Sequence, residues 1–178
     1  MTPLLAPLLV GIALAGTPPL ANPVAVSPRN MVATVHPLAT DAAVQVLQEG
    51  GNAVDAAVAA ALTLGVVDGH NSGIGGGCFI LVRAADGRIV AIDGRETAPA
   101  RAHRDMFLRD GKADAEASQT GPLAVAVPGA LAAYQMAVEM LGKKPLAALL
   151  EPGAEIAERG FAIDAVYARN IQIGRAHV

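Results

Sequence analysis

A single cysteine, Cys78, stands in the whole chain, so no internal disulfide can staple it. Tryptophan is absent and aromatics make up only 3% of the residues, which leaves no set of platforms for stacking nucleobases. Charged residues are few as well, at 16%, and the formal net charge is −3. That balance supplies neither a basic field for nucleic acid nor a polybasic membrane anchor. No G-x-S-x-G elbow occurs, and no Ser, His and Asp fall at a spacing that assembles a catalytic set. His36, His70 and His103 lack the companion Cys, Asp or Glu of a metal site. The charge-free N-terminal run is interrupted by Pro7, so it falls short of the roughly 20 unbroken apolar residues of a stable membrane span.

What remains is a 178-residue chain, 53% apolar, whose core has to be built from Ala, Val, Leu and Ile. Residues 4–15 form an apolar segment of signal-peptide length, followed by small residues around Ala21. Residues 1–28 are therefore expected to be a signal peptide and linker, and the destination periplasmic or secreted. At the other end, "IGRAHV" (173–178) is what a common sequencing adapter encodes when read in frame. Residues 172–178 are expected to be a non-native tail, and His177 within it is set aside.

The residues between read as a helix pair, a β-hairpin and then more helices, which is an α+β pattern of helices layered on a sheet. "MVATVHP" (31–37) alternates and predicts a short strand. Pro37 suits the first turn of a helix that Gly50 and Gly51 end. Asn52 and Asp55 form the start of a second helix, close to a capping box. Its sequence, "AVDAAVAAALTLGVV", is apolar on nearly every side and predicts burial between layers. "DGHNSGIGGG" (68–77) is a loop, and "CFILVRA" and "RIVAIDGR" are strands joined at Asp86-Gly87, a type I′ signal. Beyond them come a short helical piece near "HRDMFLRD", a polar connection from Gly111 to Thr120 and a helix over 128–143. Two short helices in 145–161 follow, broken at Pro152 and capped at Gly160.

Few stretches can carry chemistry. "GIGGG" is not a dinucleotide fingerprint and precedes a strand, so it reads as backbone packed beside a pocket. His36 reads as a capping or packing residue, and Cys78 as a small buried hydrophobe. Arg95, in "AIDGRETAPARA" (91–102), sits at the end of a strand between Asp93 and Glu96. Its guanidinium could pair with those neighbours, or grip a ligand carboxylate with two parallel hydrogen bonds.

Three segments together, "HPLATDAAVQVLQEGGNAVDAAVAAALTLGVV", "SGIGGGCFILV" and "AIDGRETAPARAHRDMF", closely resemble the N-terminal part of the γ-glutamyltranspeptidase family. The likeness covers about residues 30–170, in the family's order and spacing. It implies the N-terminal-nucleophile hydrolase fold, a four-layer αββα sandwich of which residues 29–171 would be a part. It also implies a precursor that cleaves itself into a large and a small subunit. The new N-terminal threonine of the small subunit is then the nucleophile, activated by its own amine. It attacks the γ-amide of glutathione or a related γ-glutamyl compound, and water or an amine takes the glutamyl group. No cofactor is implied.

In this family the arginine of the R-E-x-A-P stretch binds the α-carboxylate of the glutamyl moiety, and that residue here is Arg95. Where this chain has Cys78, many members have Gly. The family's large subunit is about twice this length and its threonine lies beyond it, so neither Thr97 nor Thr120 substitutes for the nucleophile. The chain is expected to be an inactive fragment of an exported enzyme. The alternatives are a related amide acylase of the cephalosporin type, or a non-catalytic domain that binds carboxylates or a partner chain.

Overall fold

The computed structural model describes residues 26–175. Residues 1–25 of the expected leader (1–28) and the last three residues of the expected tail (172–178) lie outside the described residues. Helix α1 spans Pro37–Gln48 and α2 spans Ala53–Val67. Strands β1 (Cys78–Arg83) and β2 (Ile89–Gly94) form the antiparallel hairpin. A two-residue ribbon, β3 (Leu108–Arg109) with β4 (Lys112–Ala113), precedes a short helix α3 at Ala115–Gln119. Helices α4 (Ala130–Leu141), α5 (Leu146–Arg159) and α6 (Ala165–Arg175) complete the chain.

The capping chemistry at α1 and α2 is as the sequence requires. His36 Nδ1 accepts the Leu38 N–H at 3.2 Å, so this histidine caps α1. Asn52 Oδ1 accepts from Val54 N and Asp55 N, and Asp55 Oδ2 accepts Asn52 N at 2.7 Å, completing the capping box. Asp55 does more than cap. It is fully buried, and its carboxylate also takes the N–H groups of Lys143 at 3.0 and 3.1 Å and of Lys144 at 3.2 Å. Asn52 Nδ2 donates to Leu141 O at 2.7 Å. The N-terminus of α2 and the C-terminus of α4 are thereby tied across some 90 residues of sequence by one side-chain pair.

Helix α2 lies at the centre. α1 packs on it through Ala43, Ala56 and Ala60. α4 and α5 meet it through Tyr134, Val138 and Leu149 against Val58 and Leu62. The uniform apolarity of α2 is thus explained by neighbours on several sides. Ile80, Val82, Val90 and Ile92 of the hairpin pack toward α4, around Ala133 and Ala137. The other hairpin face is open: Phe79 is 69% and Leu81 74% exposed, and β1 pairs only with β2 among the described residues.

Four local expectations are corrected. Residues 31–35 are not a strand, because among the described residues nothing pairs with them. The hairpin turn at Asp86-Gly87 is not type I′. The Gly87 N–H bonds to Ala84 O at 3.0 Å, Asp86 keeps a negative φ, and Gly87 alone is left-handed at φ 87°. That is a three-residue loop, a type I turn followed by a left-handed glycine. The type I′ geometry occurs instead at the next Asp-Gly, where Asp110 (φ 51°) and Gly111 (φ 76°) join β3 to β4. The stretch 103–107 is a run of turns rather than a helix, since it has no continuous apolar stripe to bury. Finally, α5 continues through Pro152 as one helix. Leu149, Gly153 and Ile156 are buried on one face, with Gly153 close against the α2 backbone at Thr63. This packing offsets the roughly 3 kcal/mol that an interior proline costs. Helix α6 was not anticipated, and its backbone runs across the first residues of the expected tail.

Candidate functional site

The glycine loop, the end of β2 and the start of α4 converge on one cleft. Asp68 closes α2, its N–H bonding to Leu64 O at 2.8 Å. The Asp68 carbonyl then accepts Asn71 N and Ser72 N, which fixes the root of the loop as a tight turn. At the other end, the Gly76 carbonyl accepts both Gly129 N and Ala130 N at 3.1 Å. Helix α4 has no side-chain cap, so the glycine loop supplies a partner for its first free N–H groups. Thr97 and Val127 exchange backbone hydrogen bonds of 3.2 and 2.9 Å, which seats residues 94–97 against the approach to α4.

The crossing is tight enough to dictate glycine. A Cβ on Gly77 would lie 2.6 Å from Glu96 Oε2, 2.7 Å from Gly94 O and 2.8 Å from Glu96 N. Two of those atoms are backbone and cannot step aside cheaply. The cleft so formed has a volume of about 560 Å³ and is walled by the loop, Cys78, Glu96 and Tyr134. Burial pushes the Cys78 thiol above its ordinary range, although a hydrogen bond with Tyr134 pulls the other way and Glu96 adds to the rise. Tyr134 is likewise raised, first by burial and then by Cys78. Both groups are thus held toward their protonated forms beside Glu96.

Arg95 stands where the sequence placed it, directly after β2, with its side chain 70% exposed. Of its two acidic neighbours only one touches the guanidinium: Nε is 3.4 Å from Glu96 Oε2. Asp93 Oδ1 takes the Arg95 backbone N–H instead, at 2.9 Å. An exposed pair of this kind contributes at most about 1 kcal/mol. Glu96 is the one carboxylate that pairs with the Arg95 side chain among the described residues. Glu96 belongs to the cleft wall, and Arg95 leans on it from the exposed side.

The remaining sequence candidates are dispersed. His36 is the α1 cap and His103 is exposed in the turns before β3. No group of three or more His, Cys, Asp or Glu that could hold a metal occurs among the described residues. Sequence reasoning missed His70 and Tyr134 as wall residues. The signal for Tyr134 was its rarity, one of only two tyrosines, on the buried stripe of α4.

A family model described as "Gamma-glutamyltranspeptidase" matches residues 39–178. The chain belongs to the γ-glutamyltranspeptidase family. It is 42% identical over 145 residues to a glutathione hydrolase proenzyme of Escherichia coli, covering 81% of this chain and 25% of that protein. It is 46% identical over 144 residues to the acylase ACY 1 proenzyme of a Pseudomonas species, covering 76% and 25%. The solved γ-glutamyltranspeptidase of Helicobacter pylori superposes with a TM-score of 0.82 at 38% identity, covering 86% of this chain and 44% of that one. The chain thus spans about a quarter of the length of the curated relatives it matches. Over that span its fold is the mixed helix-and-strand fold of the N-terminal-nucleophile γ-glutamyltranspeptidases. No helix among the described residues is long and apolar enough to cross a membrane.

Proposed function

We propose that this chain is the N-terminal portion of an exported γ-glutamyltransferase or glutathione hydrolase, and that Arg95 binds the α-carboxylate of the glutamyl moiety. The observation that carries the reading is the state of Arg95. Its backbone is held by the Gly77–Glu96 crossing and the Thr97–Val127 bridge, while its side chain is largely exposed and pairs with one carboxylate, Glu96, at Nε. A largely exposed guanidinium on a rigid mount is suited to bidentate capture of a carboxylate.

In this reading the remaining sandwich and the nucleophile come from the rest of the precursor. Self-cleavage exposes a threonine as the N-terminus of the small subunit. Its hydroxyl attacks the γ-amide carbonyl, its own amine takes the proton, and the amine product leaves from a γ-glutamyl-enzyme that water or an acceptor then resolves. This chain by itself is inactive. Residues 1–28 serve as the export signal and linker, the location is periplasmic or secreted, and residues 172–178 are a non-native tail.

The similarity to the acylase ACY 1 proenzyme and to the solved cephalosporin acylase of Bacillus halodurans (TM-score 0.67, 32% identity) favours one alternative, cleavage of an N-acyl cephalosporin by the same fold. Two measurements decide. The locus is sequenced downstream: a continuing frame with a threonine at the self-cleavage point is expected, and its absence removes both enzymatic readings in favour of a stand-alone binding domain. The full-length product is then assayed on a chromogenic γ-glutamyl anilide and on an N-acyl cephalosporin. Faster turnover of the cephalosporin overturns the glutamyl assignment.

A further inference from the structure

The glycine loop is held at its root by a residue 90-odd positions away. Tyr167 reaches from α6 and donates its hydroxyl to the Val66 carbonyl at 3.1 Å. Val66 lies in the last turn of α2, where carbonyls have no partner within the helix. The same hydroxyl fills the space beside Gly69, where a Cβ would lie 2.9 Å from the Tyr167 oxygen. The Tyr167 ring meets His70 edge-on, with centroids 5.2 Å apart and planes at 77°.

His70 is a partition. On one side is the 560 Å³ cleft, and on the other a smaller cavity of about 140 Å³ bounded by Asp68, Asp164 and Tyr167. Asn71 Nδ2 lies 3.1 Å from Asp68 Oδ1 and 3.0 Å from His70 Nε2. A carboxylate only accepts, so the amide donates to both, and Nε2 is the acceptor nitrogen of the ring. Residues 68–72 are thus tied to one another and rest on Tyr167, with His70 Nδ1 buried 3.5 Å from Asp68 Oδ1 and without a hydrogen-bond partner among the described residues. Gly75, further along the loop, has open space beside it.

We infer that Tyr167 is a positioning residue for the cleft: through Gly69 and His70 it fixes the root of the glycine loop. Helix α6 thereby sets the glycine-loop wall of the cleft that Glu96 shares, next to Arg95, an inference that rests on the role proposed for Arg95 above. Small displacements of such a wall matter, because binding groups have to be held to within fractions of an ångström.

The test is made on the full-length protein and exploits the Gly69 contact. Gly69 does not have a positive φ, so alanine is permitted by the backbone and meets chiefly the tyrosine oxygen. Gly69→Ala is expected to raise KM for a γ-glutamyl anilide roughly tenfold with kcat changed less than about twofold. Amide exchange over residues 70–77 should quicken by roughly the same factor while β1 and β2 stay unchanged. Adding Tyr167→Phe removes the oxygen that the new Cβ strikes, and both readouts should return toward wild type. Tyr167→Leu adds no bulk at Gly69 and drops both the hydrogen bond and the ring contact; it should reproduce the faster loop exchange. The inference is overturned if the double variant is no better than Gly69→Ala, or if loop exchange in Tyr167→Leu matches wild type. If the wild-type protein does not cleave γ-glutamyl amides, the functional reading fails separately and the exchange measurements alone decide the role of Tyr167.

Discussion

Replacing Asp55 tests how much of this fold hangs on one buried carboxylate. Its two oxygens accept three backbone N–H groups through four contacts of 2.7–3.2 Å, two of those groups lying beyond the end of α4. Asp55→Asn keeps one acceptor oxygen but turns an NH₂ toward an N–H donor, leaving at least one donor unmatched and all of them without charge assistance. At about 1–3 kcal/mol for an unsatisfied buried group, the loss should be about 2–4 kcal/mol. Asp55→Ala strips every contact and leaves a void, for about 3–5 kcal/mol. Amide exchange in the full-length protein reads this locally. Since about 1.4 kcal/mol is a factor of ten, peptides over 52–56 and 141–145 should exchange about 100- to 3,000-fold faster in Asp55→Ala. Exposed Asp41 on α1 is the control, and Asp41→Asn should lie within about 0.5 kcal/mol of wild type. If Asp55→Ala changes exchange at 141–145 by less than threefold, the carboxylate is a local cap only and the long-range tie does not matter energetically.

Arg95→Lys replaces the fork with a point charge and should cost about 1–3 kcal/mol of glutamyl binding, or about 5- to 150-fold in kcat/KM on γ-glutamyl substrates; wild-type kinetics would reduce Arg95 to a partner of Glu96. Gly77→Ala drives a methyl into the Gly94 and Glu96 backbone and should destabilise by about 1–3 kcal/mol, whereas Gly75→Ala, with open space beside it, should be near neutral in thermal unfolding. The Cys78 thiol is raised, so its thiolate forms at higher pH than in an ordinary cysteine. Iodoacetamide labelling should therefore be slow at neutral pH and climb above the usual thiol range. The Tyr134 hydrogen bond lowers that value, so Tyr134→Phe should move the labelling profile higher still; a shift to lower pH would contradict the assignment.

Local chemistry made much of the fold legible. The Asn52–Asp55 box, the glycine end of α1 and the all-round apolarity of α2 each have a short-range cause, and each is found in place. Legibility failed where tertiary contacts overrule local preference. Pro152 reads as a break until Gly153 is seen packed on Thr63. Asp86-Gly87 and Asp110-Gly111 are the same dipeptide, yet the ladders close at Ala84–Arg88 and at Arg109–Lys112, leaving a three-residue loop in one case and a two-residue loop in the other. The place of Arg95 directly after β2 was readable from the strand pattern, whereas the ligand role proposed for it comes from the family resemblance, since the residues alone also allowed a pair with Asp93 or Glu96. Glu96 as a wall, and Tyr167 beneath the loop, were not readable, because both depend on which distant backbone lies alongside.

The open face of the hairpin has a consequence in time rather than space. Synthesis runs from the N-terminus, so Phe79, Leu81 and the edge of β1 that has no partner among the described residues emerge early. In a precursor as long as the curated relatives, most of the polypeptide follows them. At about 5–20 residues per second, several hundred later residues keep that face waiting for tens of seconds. During that interval the hairpin is a sticky, half-finished surface. Such a surface pairs readily with other chains, so the order in which the residues emerge bears on aggregation as much as any contact within the hairpin.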